Sequence, residues 1–294
     1  MFRTTSNRLV NKIVRWYLIN CPVTDGKKKL LKFTREFILP DEDEVSYTTK
    51  YNFTLRANLR NPEHERTYFY GELDERYEIR QILKLIREGD TCWDIGANIG
   101  FYTCLFASIV GKAGKVVAFE PASVTMNYLA LNSEVNNFKN VLLIKKAIGN
   151  IRDRRNLYCI SAPLAEGFAS LLQTADTKYS EIVEIDTIDS IYQDLPVPDF
   201  IKIDVEGYQL EVLKGADAFL TRHAPLIMAE LKDPDADKKA EIESYLRQHQ
   251  YSIFEFDKNA LKTSPGLLQS HKRNFLLAKK ASPAFTRIKE LISN

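Results

Sequence analysis

The chain has 294 residues, 45% of them hydrophobic, and a formal net charge of +2 at pH 7, enough for a real core in one large α/β domain with an appendage or in two small domains. No apolar run approaches about 18 residues, and the start lacks an uncharged apolar leader segment, which argues against a membrane-spanning helix and a signal peptide. Cys21, Cys92, Cys104 and Cys159 fall in no metal-ligand spacing, so free thiols in a reducing compartment, and a cytoplasmic location, are expected.

The charge is uneven: residues 1–40 hold nine Lys/Arg against Asp25 and Glu36. Within this arm Asn7–Asn20 reads as a helix, with Leu9, Val10, Ile13, Trp16 and Tyr17 on one face and Arg8, Asn11, Lys12 and Arg15 on the other; Pro22 ends it. A basic helix carrying Trp and Tyr suits peripheral contact with a membrane, docking on its own domain, or burial against a second subunit, and a merely solvated basic face is the commoner use of such charge. No nucleic-acid partner is expected. Leu30–Leu39 and Val45–Leu59 alternate apolar and polar residues, with Tyr47, Thr49, Tyr51, Phe53 and Leu55 on one face, and predict half-buried antiparallel strands. Residues 1–70 thus form a basic helix and β-rich extension, suited to the acceptor side, a lid or an oligomer contact, and residues 71–294 the main domain.

Glu72–Arg87 returns to helical period and stops at Glu88-Gly89-Asp90. Thr91-Cys92-Trp93 then leads into Asp94-Ile-Gly-Ala-Asn-Ile-Gly100 and the apolar Phe101–Ala107, a buried strand bending sharply into a helix. Gly96 and Gly100 remove Cβ atoms where a ligand or a neighbouring strand comes close, and the helix start points its unpaired N–H groups at the same place. A ligand-free βα turn is the plain alternative. Lys115–Phe119 is a strand, Ala122–Asn137 a helix, Val141–Ile148 a strand. Arg154–Ile160 and Glu181–Ile185 are short strands around the Ala162–Gln173 loop. Phe200–Val205 (strand), Glu211–Leu220 (helix), Leu226–Leu231 (strand), Ala236–Gln248 (helix), and the strands Tyr251–Phe256 and Asn274–Ala278 complete the chain. Alternating strands and helices of this kind predict βαβ units in a mainly parallel sheet.

In such a sheet ligands lie beyond the carboxyl ends of the strands. Strand ends here carry Asp94 and then Glu120, twenty residues after Gly100, where a carboxylate is placed to accept from both ribose hydroxyls, each bond to a charged acceptor contributing about 1.5–3 kcal/mol. The dinucleotide fingerprint G-x-G-x-x-G is not met, because Asn98 and Phe101 stand where its second and third glycines fall. Asp94 favours an ammonium and repels a phosphate. An adenosine compound with cationic rather than phosphate character fits this acidic turn.

Asp94-Ile-Gly-Ala-Asn-Ile-Gly-Phe-Tyr-Thr, Phe119-Glu-Pro, Asp186-Thr-Ile-Asp-Ser190, Ile201-Lys-Ile-Asp-Val-Glu-Gly-Tyr208, Glu211–Ala216 and Pro225–Glu230 together resemble the FkbM-type S-adenosylmethionine-dependent methyltransferases, over roughly Glu72–Lys280. The resemblance implies the class I methyltransferase fold: a Rossmann-like, doubly wound, seven-stranded, mainly parallel sheet with an antiparallel edge hairpin. It also implies transfer of a methyl group from S-adenosylmethionine to a hydroxyl of a sugar, glycan or secondary metabolite. Asp94, Gly96, Asn98 and Gly100 would surround the methionine part of the cofactor and Glu120 its ribose. Glu78, in the preceding helix, stands where the family often has a glutamate. Lys146-Ala147-Ile148 replaces the acid that many methyltransferases use at adenine, leaving backbone groups near Ala147 for that contact. Ser170 and His64 are candidates on the acceptor side, His64 from a lid-like segment, Asn61–Tyr70; a plain loop serine and a structural histidine are the alternatives.

The sulfonium is already activated, so placing the nucleophile in line does most of the work, up to about 7–11 kcal/mol. Asp204 is the expected catalytic residue, as general base or as ligand to a divalent ion that acidifies the hydroxyl; capping the helix near Glu206 is its structural alternative. If Mg²⁺ takes part, Asp204, Glu206 and Glu230 supply the oxygens. Lys202, two residues earlier on the strand, shares a face with Asp204 and is placed to pair with it. The competing reading of the whole chain is a catalytically silent binding or scaffold protein that keeps the fold. The acceptor pocket would come from the N-terminal strands, the Ala162–Gln173 loop and Asp233-Pro234-Asp235.

Overall fold

The structure, a computed structural model, describes residues 5–21, 26–38, 43–159, 169–171, 179–232 and 235–292. The expected acceptor-side residues 162–168, 172–173, 233 and 234 lie outside these. The chain divides into two compact units, Met1–Asp74 and Glu75–Asn294.

The first unit holds α1 (Thr5–Asn20), α2 (Lys27–Ile38), β1 (Glu44–Thr48), β2 (Thr54–Asn58) and α3 (Pro62–Tyr70). The strand expected at Leu30–Leu39 is helix α2 instead. Its Lys, Leu, Arg and Glu residues are strong helix formers, and that intrinsic preference outweighs a short alternation. Val45–Leu59 is not one run but an antiparallel hairpin, turning at Asn52, which adopts φ 64°. The Asn61–Tyr70 segment is a helix capped by the Asn61 side chain and closed by Gly71 in the left-handed conformation. Arg15 ties the unit together: its guanidinium lies 5.2 and 4.9 Å from the Tyr47 and Tyr68 rings and donates to the Tyr68 and Thr48 carbonyls, both at 2.7 Å.

The second unit opens with α4 (Arg76–Leu85), β3 (Thr91–Ile95), α5 (Phe101–Val110), β4 (Lys115–Phe119) and α6 (Ser123–Val135). It continues with β5 (Val141–Ile144), β6 (Ala147–Ile148), β7 (Asp153–Cys159), β8 (Ala169–Ser170), β9 (Tyr179–Asp186), α7 (Ile188–Ile191), β10 (Phe200–Ile203), α8 (Gln209–Lys214) and α9 (Asp217–His223). The last elements are β11 (Leu226–Glu230), α10 (Ala236–Gln248), β12 (Tyr251–Phe256), β13 (Leu261–Thr263) and β14 (Asn274–Lys279). Among the described residues the main sheet runs β13-β12-β14-β11-β10-β3-β4-β5. β11, β10, β3, β4 and β5 are parallel, while β14 inserts antiparallel between β11 and β12. The seven expected strands are present, and β13 adds an eighth at the edge. The strand read at Val141–Ile148 breaks at Lys145-Lys146, and its second half joins a separate sheet, β6-β9-β7-β8.

Trp93 anchors the core between Phe119 and Phe219, with centroids 5.5 and 5.8 Å away, and gives its indole N–H to the Pro196 carbonyl at 3.0 Å. β10 reads Phe-Ile-Lys-Ile, fully buried. A central parallel strand is covered on both faces and so reads as a continuous apolar run, which makes Lys202 the exception that leads to the site. Among the described residues no helix is long and apolar enough to cross a membrane.

Candidate functional site

The carboxyl ends of β3, β4 and β10 meet at one place. After β3 the chain turns through Gly96, Asn98 and Gly100, with φ of 78°, 52° and 92°. The Phe119 carbonyl accepts from both Gly96 N–H and Ala97 N–H at 3.0 Å, and Asp204 N–H donates to the Ile95 carbonyl at 3.0 Å. A Cβ on Gly96 would stand 1.8 Å from the Asp204 carbonyl oxygen. A Cβ on Gly100 would meet the Leu129 side chain at 2.5 Å. The glycines therefore let the turn lie directly against β4, β10 and α6.

Glu120 is buried at the end of β4. Its Oε2 accepts from Asn98 N–H at 2.8 Å, and its Oε1 accepts from Ala122 N–H at 3.0 Å and the Thr125 hydroxyl at 2.9 Å. It thus fastens the glycine turn to the start of α6, and Oε2 carries the lighter load. Burial raises its pKa, against the three donors.

Asp94 is fully buried. Its Oδ2 accepts from the Thr103 hydroxyl at 2.6 Å; its Oδ1 has no hydrogen-bond partner and lies 3.8 Å from Lys202 Nζ. Burial raises its pKa, with Lys202 and Thr103 opposing. Lys202 pairs with Asp204 at 3.1 Å, as strand spacing implied, and its Nζ lies 4.9 Å from the centroid of the Tyr102 ring. Burial works against the lysine's charge, but Asp204, Asp94 and Glu75 outweigh it and hold the pKa above the ordinary lysine range. Asp204 keeps 31% of its side chain exposed. Burial opposes its ionisation, yet Lys202 and a hydrogen bond with Glu230 keep its pKa below the usual range. Glu230 is pushed the other way, by burial and by Asp204, although Arg273 binds it at 2.8 and 2.9 Å. The helix-capping alternative for Asp204 does not hold: α8 begins only at Gln209, with no side-chain cap.

Glu78, in α4, accepts from Asn274 Nδ2 at 3.5 Å on the β14 side of this cluster. Ser170 donates to the Glu206 carbonyl at 2.9 Å, which brings β8 to the turn after β10; that turn passes through two left-handed residues, Glu206 and Gly207. Ala147 packs with Ala122, Leu157, Val183 and Ile185. Its neighbour Lys146 binds Asp186 at 2.9 Å. His64 belongs to the first unit, in α3, where burial lowers its pKa to about 4 and neither ring nitrogen finds a regular hydrogen bond. The proposed ion ligands Asp204, Glu206 and Glu230 do not gather: among the described residues no group of three or more His, Cys, Asp or Glu side chains is arranged to hold a metal ion. Glu206 is exposed, while Glu230 is taken by Arg273 and Asp204.

Sequence reading missed Glu75 and Tyr102. The Tyr102 hydroxyl donates to Glu75 in a short hydrogen bond beneath Lys202. Burial raises the Glu75 pKa to about 7, reinforced by Asp204 and resisted by Lys202 and the Tyr102 hydroxyl. Neither stands out in the sequence: Tyr102 lies in the first turn of a helix that also holds Thr103 and Ser108. A carboxyl whose folded pKa exceeds its unfolded value gives stability that is complete below the unfolded value and is lost as pH rises through the folded one. Wild type should therefore lose stability from about pH 4.5 to 7 through this group. Glu75→Gln should leave the protein unchanged at pH 4.5 and stabilise it at pH 8 by on the order of 1–3 kcal/mol. Urea unfolding at the two pH values measures this, and a difference independent of pH would refute it.

The strand order, with one antiparallel strand inserted beside the last parallel one and a glycine turn after the central β3, is that of the class I methyltransferase fold. The sequence profile of the family described as "Methyltransferase FkbM domain" matches residues 94–253, more than half of the chain. The chain belongs to this family. A hexuronic acid methyltransferase, AglP, from Haloferax volcanii is 31% identical over 143 residues, which are 48% of this chain and 56% of that protein. The chain thus spans little more than half the length of that relative. The crystal structure of methyltransferase FkbM from Methylobacillus flagellatus aligns with 64% of this chain and 43% of its own, at 18% identity and a TM-score of 0.43. A SAM-dependent methyltransferase from Aquifex aeolicus aligns with 70% of this chain and 92% of its own, at 18% identity and a TM-score of 0.40.

Proposed function

We propose that this chain binds S-adenosylmethionine at the glycine turn and transfers its methyl group to an oxygen of a sugar-containing acceptor. The observation that carries the reading is the convergence on one turn of Asp94 Oδ1, buried without a hydrogen-bond partner, and Asp204, partly open, across a backbone with no room for a Cβ. An acidic donor set of this kind fits a cofactor that bears a sulfonium and an ammonium and carries no phosphate. Asp94, Gly96, Asn98 and Gly100 would hold its methionine part, Glu120 Oε2 a ribose hydroxyl, Glu78 the amino-acid end, and backbone near Ala147 the adenine. Bound there, the cofactor supplies an electrophilic methyl group; the chain supplies position.

Asp204 is the residue proposed to meet the acceptor. Lys202 keeps it ionised and aimed, which suits accepting a hydrogen bond from an acceptor hydroxyl, and makes it a weaker base than a free carboxylate. Ser170, which donates to the Glu206 carbonyl two residues after Asp204, would stand on the acceptor side. The sugar acceptor is supported by the likeness to a hexuronic acid methyltransferase.

Calorimetric titration with S-adenosylhomocysteine should show binding, and Glu120→Ala should abolish it; no heat at millimolar ligand would end the reading. Labelled methyl transfer to hexose and hexuronic acid derivatives then separates the acceptors. A hydroxyl acceptor must lose a proton, so Asp204→Asn should lower kcat by about 10²–10⁴. A uronate carboxylate needs no such step, and kcat there should change only several-fold.

A further inference from the structure

The first unit presents a surface that its own fold does not use. On α1, Ile13 is 58% and Trp16 65% exposed, flanked by Val10 and Tyr17, and on α2 Phe33 is 81% exposed. The first unit's own fold therefore leaves these side chains uncovered. The opposite sides of the same helices are spent inward: Asn11, Leu18, Lys27 and Leu31 are buried, and Lys27 Nζ donates to the Leu18 and Cys21 carbonyls at 2.7 and 2.6 Å. Positions 10, 13, 16 and 17 lie on one helical stripe. The outward apolar side chains are interleaved with exposed cations: Lys12 beside Ile13 and one turn from Trp16, and Lys29 and Lys32 around Phe33.

We infer that the outward apolar stripes of α1 and α2 dock on an anionic lipid surface, with Ile13, Trp16 and Phe33 entering the headgroup region and the lysines meeting lipid phosphates. Aromatic and aliphatic side chains ringed by lysine are the composition of helices that lie in a membrane interface, where attraction to anionic lipid adds to apolar burial. The charge argues against a second copy of the chain as the occupant. Self-pairing across a two-fold axis would lay a segment with nine Lys/Arg and two acidic residues on its own like. Nucleic acid would use the lysines and leave Val10 and Ile13 without a counterpart. The inference is independent of methyl transfer.

The full chain provides its own probe. It has two tryptophans, and Trp93 is wholly buried in the core of the second unit, so a change in indole emission on binding reports Trp16. Cosedimentation with vesicles of phosphatidylcholine containing 30% phosphatidylglycerol should retain the protein, with a blue shift of emission. Neutral vesicles should bind at least tenfold more weakly, and 0.5 M salt should release most of the protein. Trp16→Ser with Phe33→Ser should reduce binding to anionic vesicles at least tenfold while the unfolding midpoint stays near wild type, since both side chains are exposed. Equal binding to neutral and anionic vesicles, or an unchanged emission maximum, would overturn the inference. So would a dimer in light scattering that the double variant dissolves while vesicles are ignored, or retention on oligonucleotides but not on vesicles.

Discussion

Gly96→Ala should be the most damaging single methyl addition in the second unit. The added Cβ falls 1.8 Å from the Asp204 carbonyl oxygen and 2.8 Å from its carbonyl carbon, both backbone atoms of an adjacent buried strand end. No side-chain rotation relieves that overlap; β3 and β10 must separate. Their separation would break the bond from Asp204 N–H to the Ile95 carbonyl and disturb the Phe119 carbonyl that takes both Gly96 and Ala97 N–H. The left-handed φ of 78° adds its own strain. Gly89→Ala isolates that second part, because Gly89 has φ 88° and nothing within 4 Å of its would-be Cβ. It should cost about 1 kcal/mol, the expense of left-handed alanine alone. Gly96→Ala should cost about 4–5 kcal/mol, in the range reserved for named structural faults, and should remove S-adenosylhomocysteine binding. Thermal and urea unfolding of the two variants side by side provide the measurement. If Gly96→Ala behaves as Gly89→Ala does, the turn is looser than described and the proposed binding site loses its basis.

The same turn shows what could be read from sequence. Gly96, Gly100, Glu120 and the Ile201–Tyr208 block follow local rules: a short apolar run, a glycine turn, a helix, and an acid after the next strand. Short-range pattern gave βαβ units in a mainly parallel sheet, and the resemblance of these motifs implied seven strands with an antiparallel edge hairpin. Lys202 was legible from strand periodicity, two residues before Asp204 and so on the same face. The failures came where local pattern is ambiguous or where the partner is distant. Leu30 and its neighbours alternate weakly enough for helix propensity to decide, and α2 resulted. Val141–Ile148 looks continuous until Lys146 finds Asp186, forty residues on, and the chain leaves the main sheet. Glu75 and Tyr102 carry no signal of their own. Their role arises because α4 and α5 both pass beneath Lys202, which only the assembled fold reveals.

Lys202→Met is the second large effect, and it tests whether the charges around the turn form one system. Lys202 Nζ faces Asp204 at 3.1 Å and Asp94 at 3.8 Å, inside the core, with Glu75 close enough to raise its pKa. The buried pair adds little by itself, since desolvating both charges offsets their attraction. Removing only the cation is different, because the carboxylates stay behind. Asp94 Oδ1 already lacks a hydrogen bond, and methionine offers it none. The expected loss at pH 8 is about 3–5 kcal/mol. Its pH dependence carries the sign. In wild type Lys202 holds the Asp204 pKa below its unfolded value, so that group contributes stability above the unfolded value and loses it as pH falls through the folded one. Without Lys202, only the hydrogen bond with Glu230 and the more distant Arg273 oppose burial at Asp204, so its folded pKa rises and the stability it contributes at pH 8 falls. The deficit of Lys202→Met should therefore shrink by at least half between pH 8 and pH 5. Lys214→Met breaks a shorter pair, 2.6 Å to Glu241, but with 39% and 55% of the two side chains exposed. It should cost less than about 1 kcal/mol at either pH. Urea unfolding of both variants at both pH values is decisive: a Lys202→Met deficit that matches Lys214→Met, or that does not change with pH, would show that Asp94, Asp204 and Glu75 do not depend on one buried cation.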